Sequence, residues 1–268
     1  MTMPDVARFA AALNEARRTG SAVELNSKLA ALDGETAYAV QQEGFRLRGG
    51  GRVAGYKIGW ADPAARARHG VPEPIFGRFA PGDVLADGGV HSLETALKPG
   101  IEGELVFHVD RPLPEGTAIT VEHILAACSI GVGFDLMDSR LAGGASTWRA
   151  AVADNCGAGA VLLGPARTSL AEGGGRDLLA RVFLTLWRDG ELVDSGSAEK
   201  LGGDAAGLVA WLAGKLAAQG DALEAGQFVF TGAMAGPQWL TAAGEWEVRS
   251  VELGVARVEV TEGNRAVD

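Results

Sequence analysis

The sequence predicts an α+β protein, with a helical N-terminal region over 1–50 and a mixed or antiparallel β core over 51–268. Three observations carry this reading. Apolar residues at helical spacing are concentrated in the first 50 residues. Short apolar segments punctuated by glycine fill most of the rest, and few helices separate them. That last point excludes a doubly wound sheet, in which helices and strands alternate. At 268 residues, 47% hydrophobic and 22% charged, the chain can bury one sizeable core or two modest ones.

The elements follow in order. Pro4 and Asp5 open a helix that Gly20 closes, with Val6, Phe9, Ala10 and Leu13 on one face. A second helix is expected over 35–47. Strands are expected within 52–60, 101–109, 129–137, 158–164, 181–196, 227–236 and 246–260. Asp189–Gly190 lies between two apolar runs and signals a hairpin turn. Helices interrupt the strands at about 121–128 and at 204–220, the second ended by Gly220. The 39 glycines fall mostly at strand ends and turns, and there is no internal repeat.

Composition removes several function classes. The formal net charge is −10, and basic residues cluster no further than pairs such as Arg17–Arg18, which excludes a phosphate-tracking nucleic-acid surface. No apolar run reaches the length of a bilayer span, and the N-terminus lacks the pattern of a signal peptide, so no membrane partner and a cytoplasmic location are expected. Cys128 and Cys156 form neither a disulfide framework nor a zinc motif and are read as packed thiols.

One strand raises a chemical question. In the segment PGIEGELVFHV, Ile101, Gly103, Leu105, Phe107 and Val109 share one face, while Glu102, Glu104, Val106 and His108 share the other. Two adjacent glutamates repel, and burying either one unpaired is costly. Either the face is solvated, or a divalent cation cancels the repulsion. All-oxygen ligands favour Mg²⁺, Mn²⁺ or Ca²⁺. Asp135, alternating with Leu136 in GVGFDLMDSR, is a further candidate ligand.

The segments GYKIGW, IEGELVFHV, FDLMDSR, VADNCGAG, DGELVDSG, LVAWLAGKLAAQGDALEAGQ and FTGAM occur in that order. Together they resemble the 2-keto-4-pentenoate hydratase and 4-oxalocrotonate decarboxylase branch of the fumarylacetoacetate hydrolase superfamily. The resemblance spans about 53–260. It implies a glycine-rich mixed β roll around a divalent-metal site holding Mg²⁺ or Mn²⁺. Residue by residue, it carries the metal ligands onto Glu102, Glu104 and Asp135, catalytic roles onto Lys57 and Asp154, and substrate contacts onto Asn155, Thr231 and Gly232. From the residues alone, Lys57 also reads as a strand-end lysine with its ammonium in water, Asp154–Asn155 as an Asx turn before a strand, and Thr231–Gly232 as a strand end. Arg140 is either a grip for a substrate carboxylate or a partner for a nearby aspartate. His108 is given a supporting or structural role.

The chain departs from the family pattern at several positions. The third ligand is aspartate where glutamate is usual, so it binds either through water or with the metal nearer its strand. Trp60-Ala61-Asp62 replaces Leu-Thr-Ser after KIG, placing an indole where the pocket wall is expected. Cys156-Gly157 replaces Ala-Ser. Gly82 stands where an aspartate is usual, with Asp83 beside it. The expected reaction is hydration of a 2-hydroxy-2,4-dienoate, through its 2-oxo tautomer, to a 4-hydroxy-2-oxo acid. The alternatives are decarboxylation of a 4-oxalocrotonate-type acid, C–C hydrolysis, or an inactive partner subunit. Resemblance also implies a small 2-oxo or 2-hydroxy acid as ligand, a homo-oligomer, and association with a companion pathway enzyme. Trp60, as a pocket wall, predicts preference for a longer or aromatic tail.

Overall fold

The computed structural model describes residues 3–49, 51–115 and 117–263. Its helices are α1 (Met3–Thr19), α2 (Asn26–Ala30), α3 (Gly34–Leu47), α4 (Pro63–His69), α5 (Val121–Ala127), α6 (Trp148–Ala153), α7 (Gly175–Arg181) and α8 (Ala205–Ala218). Its strands are β1 (Gly55–Gly59), β2 (Ile75–Phe79), β3 (Val84–Leu85), β4 (Gly89–Ser92), β5 (Pro99–Val109), β6 (Cys128–Asp138), β7 (Ala158–Leu163), β8 (Thr168–Ser169), β9 (Phe183–Arg188), β10 (Glu191–Ser197), β11 (Phe228–Trp239), β12 (Gly244–Ser250) and β13 (Gly254–Thr261). No helix among the described residues is long and apolar enough to cross a membrane.

Two mixed sheets make the body. The larger runs β2-β1-β11-β5-β6-β7-β3, with β8 paired to β6, and the smaller runs β10-β9-β12-β13-β4. Most pairs are antiparallel, but β1 lies parallel to β11, β3 to β7 and β4 to β13. The alternation predicted for β5 is realised. Ile101, Leu105, Phe107 and Val109 enter the main core with Leu184, Leu186, Trp246 and Val248 of the smaller sheet. On the opposite face, Val106 joins a separate cluster with Phe79, Val161, Phe228 and Phe230. The β9–β10 hairpin turns at Asp189 and Gly190, whose φ values of 49° and 82° give the turn the expected left-handed pair.

The N-terminal helices have the predicted amphipathic faces. Val6, Phe9, Ala10 and Leu13 of α1 pack with Ala37 and Val40 of α3 and with Leu141, Ala150, Val152 and Ala153. Asp33 caps α3 by accepting a hydrogen bond from the Thr36 amide at 2.7 Å. Arg17 reaches from α1 to the Ala158 and Gly159 carbonyls and to Asp83, which also pairs with Arg48. Asp83 is therefore an anchor for the N-terminal helices and stands outside the acidic cluster described below.

Four helices beyond those expected are α2, α4, α6 and α7. Each has five to seven residues, too few to display a 3.6-residue period. For α4 the end signals were nonetheless in the chain: Asp62 caps the start, Pro63 follows, and Gly70 closes it with φ 63°. The Trp60-Ala61-Asp62 departure is thus partly a helix start.

Close packing of the larger sheet depends on Gly133, paired with Glu104 across β5–β6. A Cβ there would lie 2.5 Å from the Leu162 carbonyl oxygen and 2.9 Å from Val106 Cγ2. Gly214, in α8, has nothing within 4 Å of such a Cβ. Gly133→Ala is expected to cost about 1–3 kcal/mol, while Gly214→Ala should add roughly 0.5–1 kcal/mol through helix propensity. Urea unfolding of both variants checks the pair. Equal effects would show that the tight approach at Gly133 relaxes freely.

Candidate metal centre

Full-length pairing of β5 with β6 sets Glu102 directly opposite Asp135 and Glu104 opposite Gly133. β11, on the other side of β5, sets Ala233 opposite Glu104, and β1 beyond it brings in Lys57 opposite Phe230. Four chain segments thereby converge. Carboxylate oxygens of Glu102, Glu104 and Asp135 all lie within 4.8 Å of one another. Asp135 is 0% and Glu104 1% exposed, while Glu102 is half-buried and faces a cavity of about 400 Å³ together with Lys57, Trp60 and Gly232. A solvated glutamate face is therefore excluded.

The cluster is held from several sides. The Gly232 amide donates to Glu104 Oε2 at 2.7 Å. Lys57 Nζ forms an ion pair with Asp135 Oδ2, and Asp135 Oδ1, also buried, meets no hydrogen-bond donor. Burial pushes Glu102 up to about 7, with Lys57 opposing the rise and Asp135 adding to it. Burial likewise raises Glu104 and Asp135, and for Glu104 both neighbouring carboxylates raise it further. Burial disfavours the charge on Lys57, yet Asp135, Glu102 and Glu104 together hold it above the ordinary lysine range. The three carboxylates favour the ammonium form of Lys57.

Fully ionised, three carboxylates against one ammonium would leave two formal negative charges in a buried site, which is why burial and repulsion favour their protonated forms. An orphaned buried oxygen and a hard-oxygen donor set fit a divalent cation, which would satisfy Asp135 Oδ1 and offset the repulsion.

No family model matches the chain. It is 31% identical over 261 residues to 2-keto-4-pentenoate hydratase from Burkholderia vietnamiensis, covering 96% of this chain and 98% of that protein. This chain belongs to the 2-keto-4-pentenoate hydratase family. It is also 32% identical to 2-hydroxyhexa-2,4-dienoate hydratase of Comamonas testosteroni, covering 85% of this chain and 86% of that protein. The structure matches 4-oxalocrotonate decarboxylase from Pseudomonas putida G7, complexed with magnesium and adipate. The TM-score is 0.88, the identity 26%, and the coverage 97% and 98%. The fumarylacetoacetate hydrolase-like β roll is thereby shown, as is a relationship to structures that carry divalent metals.

For this hydratase-family member, several residues carried over by resemblance have different surroundings from those expected. Arg140 is buried against Asp154, with Nε to Oδ1 at 2.6 Å, and it donates further to the carbonyls of Asp138, Ala158 and Asp154. Its fork is engaged within the protein, with an aspartate partner as in one of the two readings of this residue. Asp154 accepts from Arg140 and, at 2.9 Å, from the Ser139 hydroxyl, so both carboxylate oxygens are engaged. Its role is to position the 138–158 segment. Asn155 exchanges two hydrogen bonds with the Arg78 backbone, at 2.8 and 2.9 Å, pinning that segment to β2. The Thr231 hydroxyl donates to the Leu105 carbonyl at 3.0 Å. Arg140, Asp154, Asn155 and Thr231 are thus each partnered within the protein.

Trp60 does line the cavity, with its ring edge-on to His69 at 5.1 Å between centroids. Cys156 lines it too and was not anticipated in the site. Its left-handed φ of 55° turns it there, a conformation no cysteine advertises in sequence. Burial pushes its thiol up to about 12, which keeps it neutral. His108 stays outside the cluster, buried, with Nε2 unpartnered.

Two expectations follow. By titration calorimetry, Asp135→Ala should weaken Mg²⁺ binding at least about 10-fold, and Asp135→Glu should bind similarly or more tightly. Unchanged affinity in the alanine variant would remove Asp135 from the ligand set. The second concerns His108, which burial, aided by Arg167, depresses to about 3 from 6.5. The unfolded chain then takes up a proton that the folded chain refuses. This residue's contribution is full above pH 6.5 and is lost as pH falls towards 3, at up to about 1.4 kcal/mol per unit. Subtracting the stability of His108→Gln from wild type across that window should reveal this slope, and a flat difference would show that His108 titrates normally.

Proposed function

We propose that this chain is a divalent-metal-dependent hydro-lyase. It hydrates a 2-hydroxy-2,4-dienoate, by way of its 2-oxo tautomer, to a 4-hydroxy-2-oxo acid. The observation that carries the reading is Lys57, ion-paired to Asp135 at the edge of a three-carboxylate cluster that opens into a cavity through Glu102. Glu102, Glu104 and Asp135 are the residues that would hold Mg²⁺ or Mn²⁺. When bound, the ion would supply Lewis acidity that favours charge developing on the substrate's 2-oxygen.

The remaining work falls to the chain. Lys57 Nζ, within the same cavity, is positioned to deliver a proton to carbon 5 of the dienol as the 2-hydroxyl gives up its own, leaving a conjugated 2-oxo-3-enoate. Water then adds at carbon 4 and a proton returns to carbon 3, so that the atoms of one water molecule are gained overall. The Gly232 amide fixes Glu104, and Arg140 with Asp154 holds the loop carrying Cys156 along the cavity wall. The N-terminal region over 1–50 supports that loop from behind, through the cluster of α1 and α3 with Ala150 and Val152.

A second reading, decarboxylation of a 2-oxo acid of the 4-oxalocrotonate type, is supported by the TM-score of 0.88 to such an enzyme. Both reactions pass through charge on the 2-oxygen, so the site chemistry is shared. With Mg²⁺ present, loss of the dienol absorbance of 2-hydroxypenta-2,4-dienoate reports hydration, and CO₂ release from 4-oxalocrotonate reports the alternative. Lys57→Met should lower the hydration kcat by about 100-fold or more, while Mg²⁺ affinity stays level or rises because a neighbouring positive charge is gone. A Lys57→Met enzyme with wild-type kcat would overturn this assignment.

A further inference from the structure

A second chamber of about 590 Å³ adjoins the first, and the two share Trp60, Met137, Ala151 and Cys156 as walls. Its far side carries Trp148 and Trp239 with two cations laid on their rings. The Arg149 guanidinium carbon lies 4.6 Å from the Trp148 centroid, and Lys98 Nζ lies 5.0 Å from that of Trp239. Lys98 also donates to the Gly143 carbonyl at 2.8 Å. The buried Nε of Arg149 has no hydrogen-bond partner, and the carboxylate that feels its charge, Asp33, lies outside the chamber lining. The one carboxylate lining this chamber, Asp154, is already paired with Arg140. In a chain of net charge −10, a cavity wall whose own lining leaves Arg149 and Lys98 without a carboxylate partner is a local reversal of sign.

The boundary between the chambers is built at conformational cost. Among the described residues, four that are not glycine have left-handed φ. Trp60 and Cys156 form the shared wall, and Asn155 adjoins Cys156. Such outliers persist where the surrounding structure enforces them, commonly at ligand sites. Neither the metal cluster nor Lys57 uses Trp148, Trp239, Arg149 or Lys98.

Building on the reading above, we propose that the second chamber is a tail subsite for an aromatic group bearing a carboxylate. The preferred substrate class is then an aryl-extended 2-oxo acid. Its oxo-acid head lies by Lys57 and Glu102, its ring passes Trp60 to rest among the tryptophans, and its distal carboxylate meets Arg149. A flat ring gains from aromatic walls through area and stacking, and a guanidinium matches a carboxylate in two-point geometry.

The test is a ladder of non-reacting ligands, titrated calorimetrically into the Mg²⁺-loaded full chain: oxalate, 2-oxo-4-phenylbutanoate and 2-oxo-4-(4-carboxyphenyl)butanoate. The phenyl step should tighten binding about 10-fold and the carboxylate step a further 5-fold or so. Arg149→Met should erase the second step alone. Trp239→Ala, at a residue 53% exposed and so tolerant of truncation, should shrink the first. Oxalate affinity should be the same in all three proteins. If oxalate binds but the phenyl group adds nothing, the tail subsite is overturned and the metal reading survives. A carboxylate step that persists in Arg149→Met overturns the assignment of the anion to that residue. Failure of oxalate to bind removes the metal reading and the tail subsite with it.

Discussion

Holding the carboxylates of Glu102, Glu104 and Asp135 within 4.8 Å of one another, away from water, opposes folding through both repulsion and desolvation. The strands around them are arranged to withstand it. β5 and β6 pair along their whole length, so the acid positions are set by backbone register and not by flexible loops. β11 contributes the Gly232 amide, and β1 contributes Lys57. A slip of one residue in β5 would turn both glutamates into the main core and Leu105 out of it. Apolar packing of Ile101, Leu105 and Phe107 against the smaller sheet therefore holds the acids in place from the other face of the same strand.

The segment from Asp138 to Ala158 is built by a second buried ion pair. Arg140 and Asp154 satisfy one another and three backbone carbonyls, and Asn155 ties the end of that loop to Arg78. These polar residues look chemical in isolation, yet what they supply is shape. They present Trp148, Arg149, Ala151 and Cys156 to the cavities while their own hydrogen-bonding capacity is consumed. The family resemblance gives Asp154 a catalytic role, Asn155 a substrate contact and Arg140 either a carboxylate grip or an aspartate partner; of these the aspartate pairing of Arg140 is what the hydrogen bonds display.

The departures read from the family resemblance fall both in the acidic cluster, at Asp135, and along the cavity wall, at Trp60 and Cys156. Asp135 is shorter than a glutamate by one methylene, and its place opposite Glu102 still brings its oxygens into the cluster. Trp60 and Cys156, by contrast, change the surface on which a substrate tail would rest.

By itself the sequence determined the face of β5 that carries the glutamates, the hairpin at Asp189–Gly190, the amphipathic α1 and α3, and the candidate acids, because these follow from local periodicity, turn preference and a same-strand spacing. Short helices such as α6 were not legible, since six residues show no period. Only the tertiary structure decided that the glutamates are buried, that Lys57 is paired with Asp135, and that Arg140, Asp154, Asn155 and Thr231 are spent on one another and on backbone. It also decided that Cys156 and Trp60 line the same wall. Burial and partnering depend on residues distant along the chain, and a left-handed φ at a non-glycine residue is imposed by its surroundings. Neither is written in a local pattern.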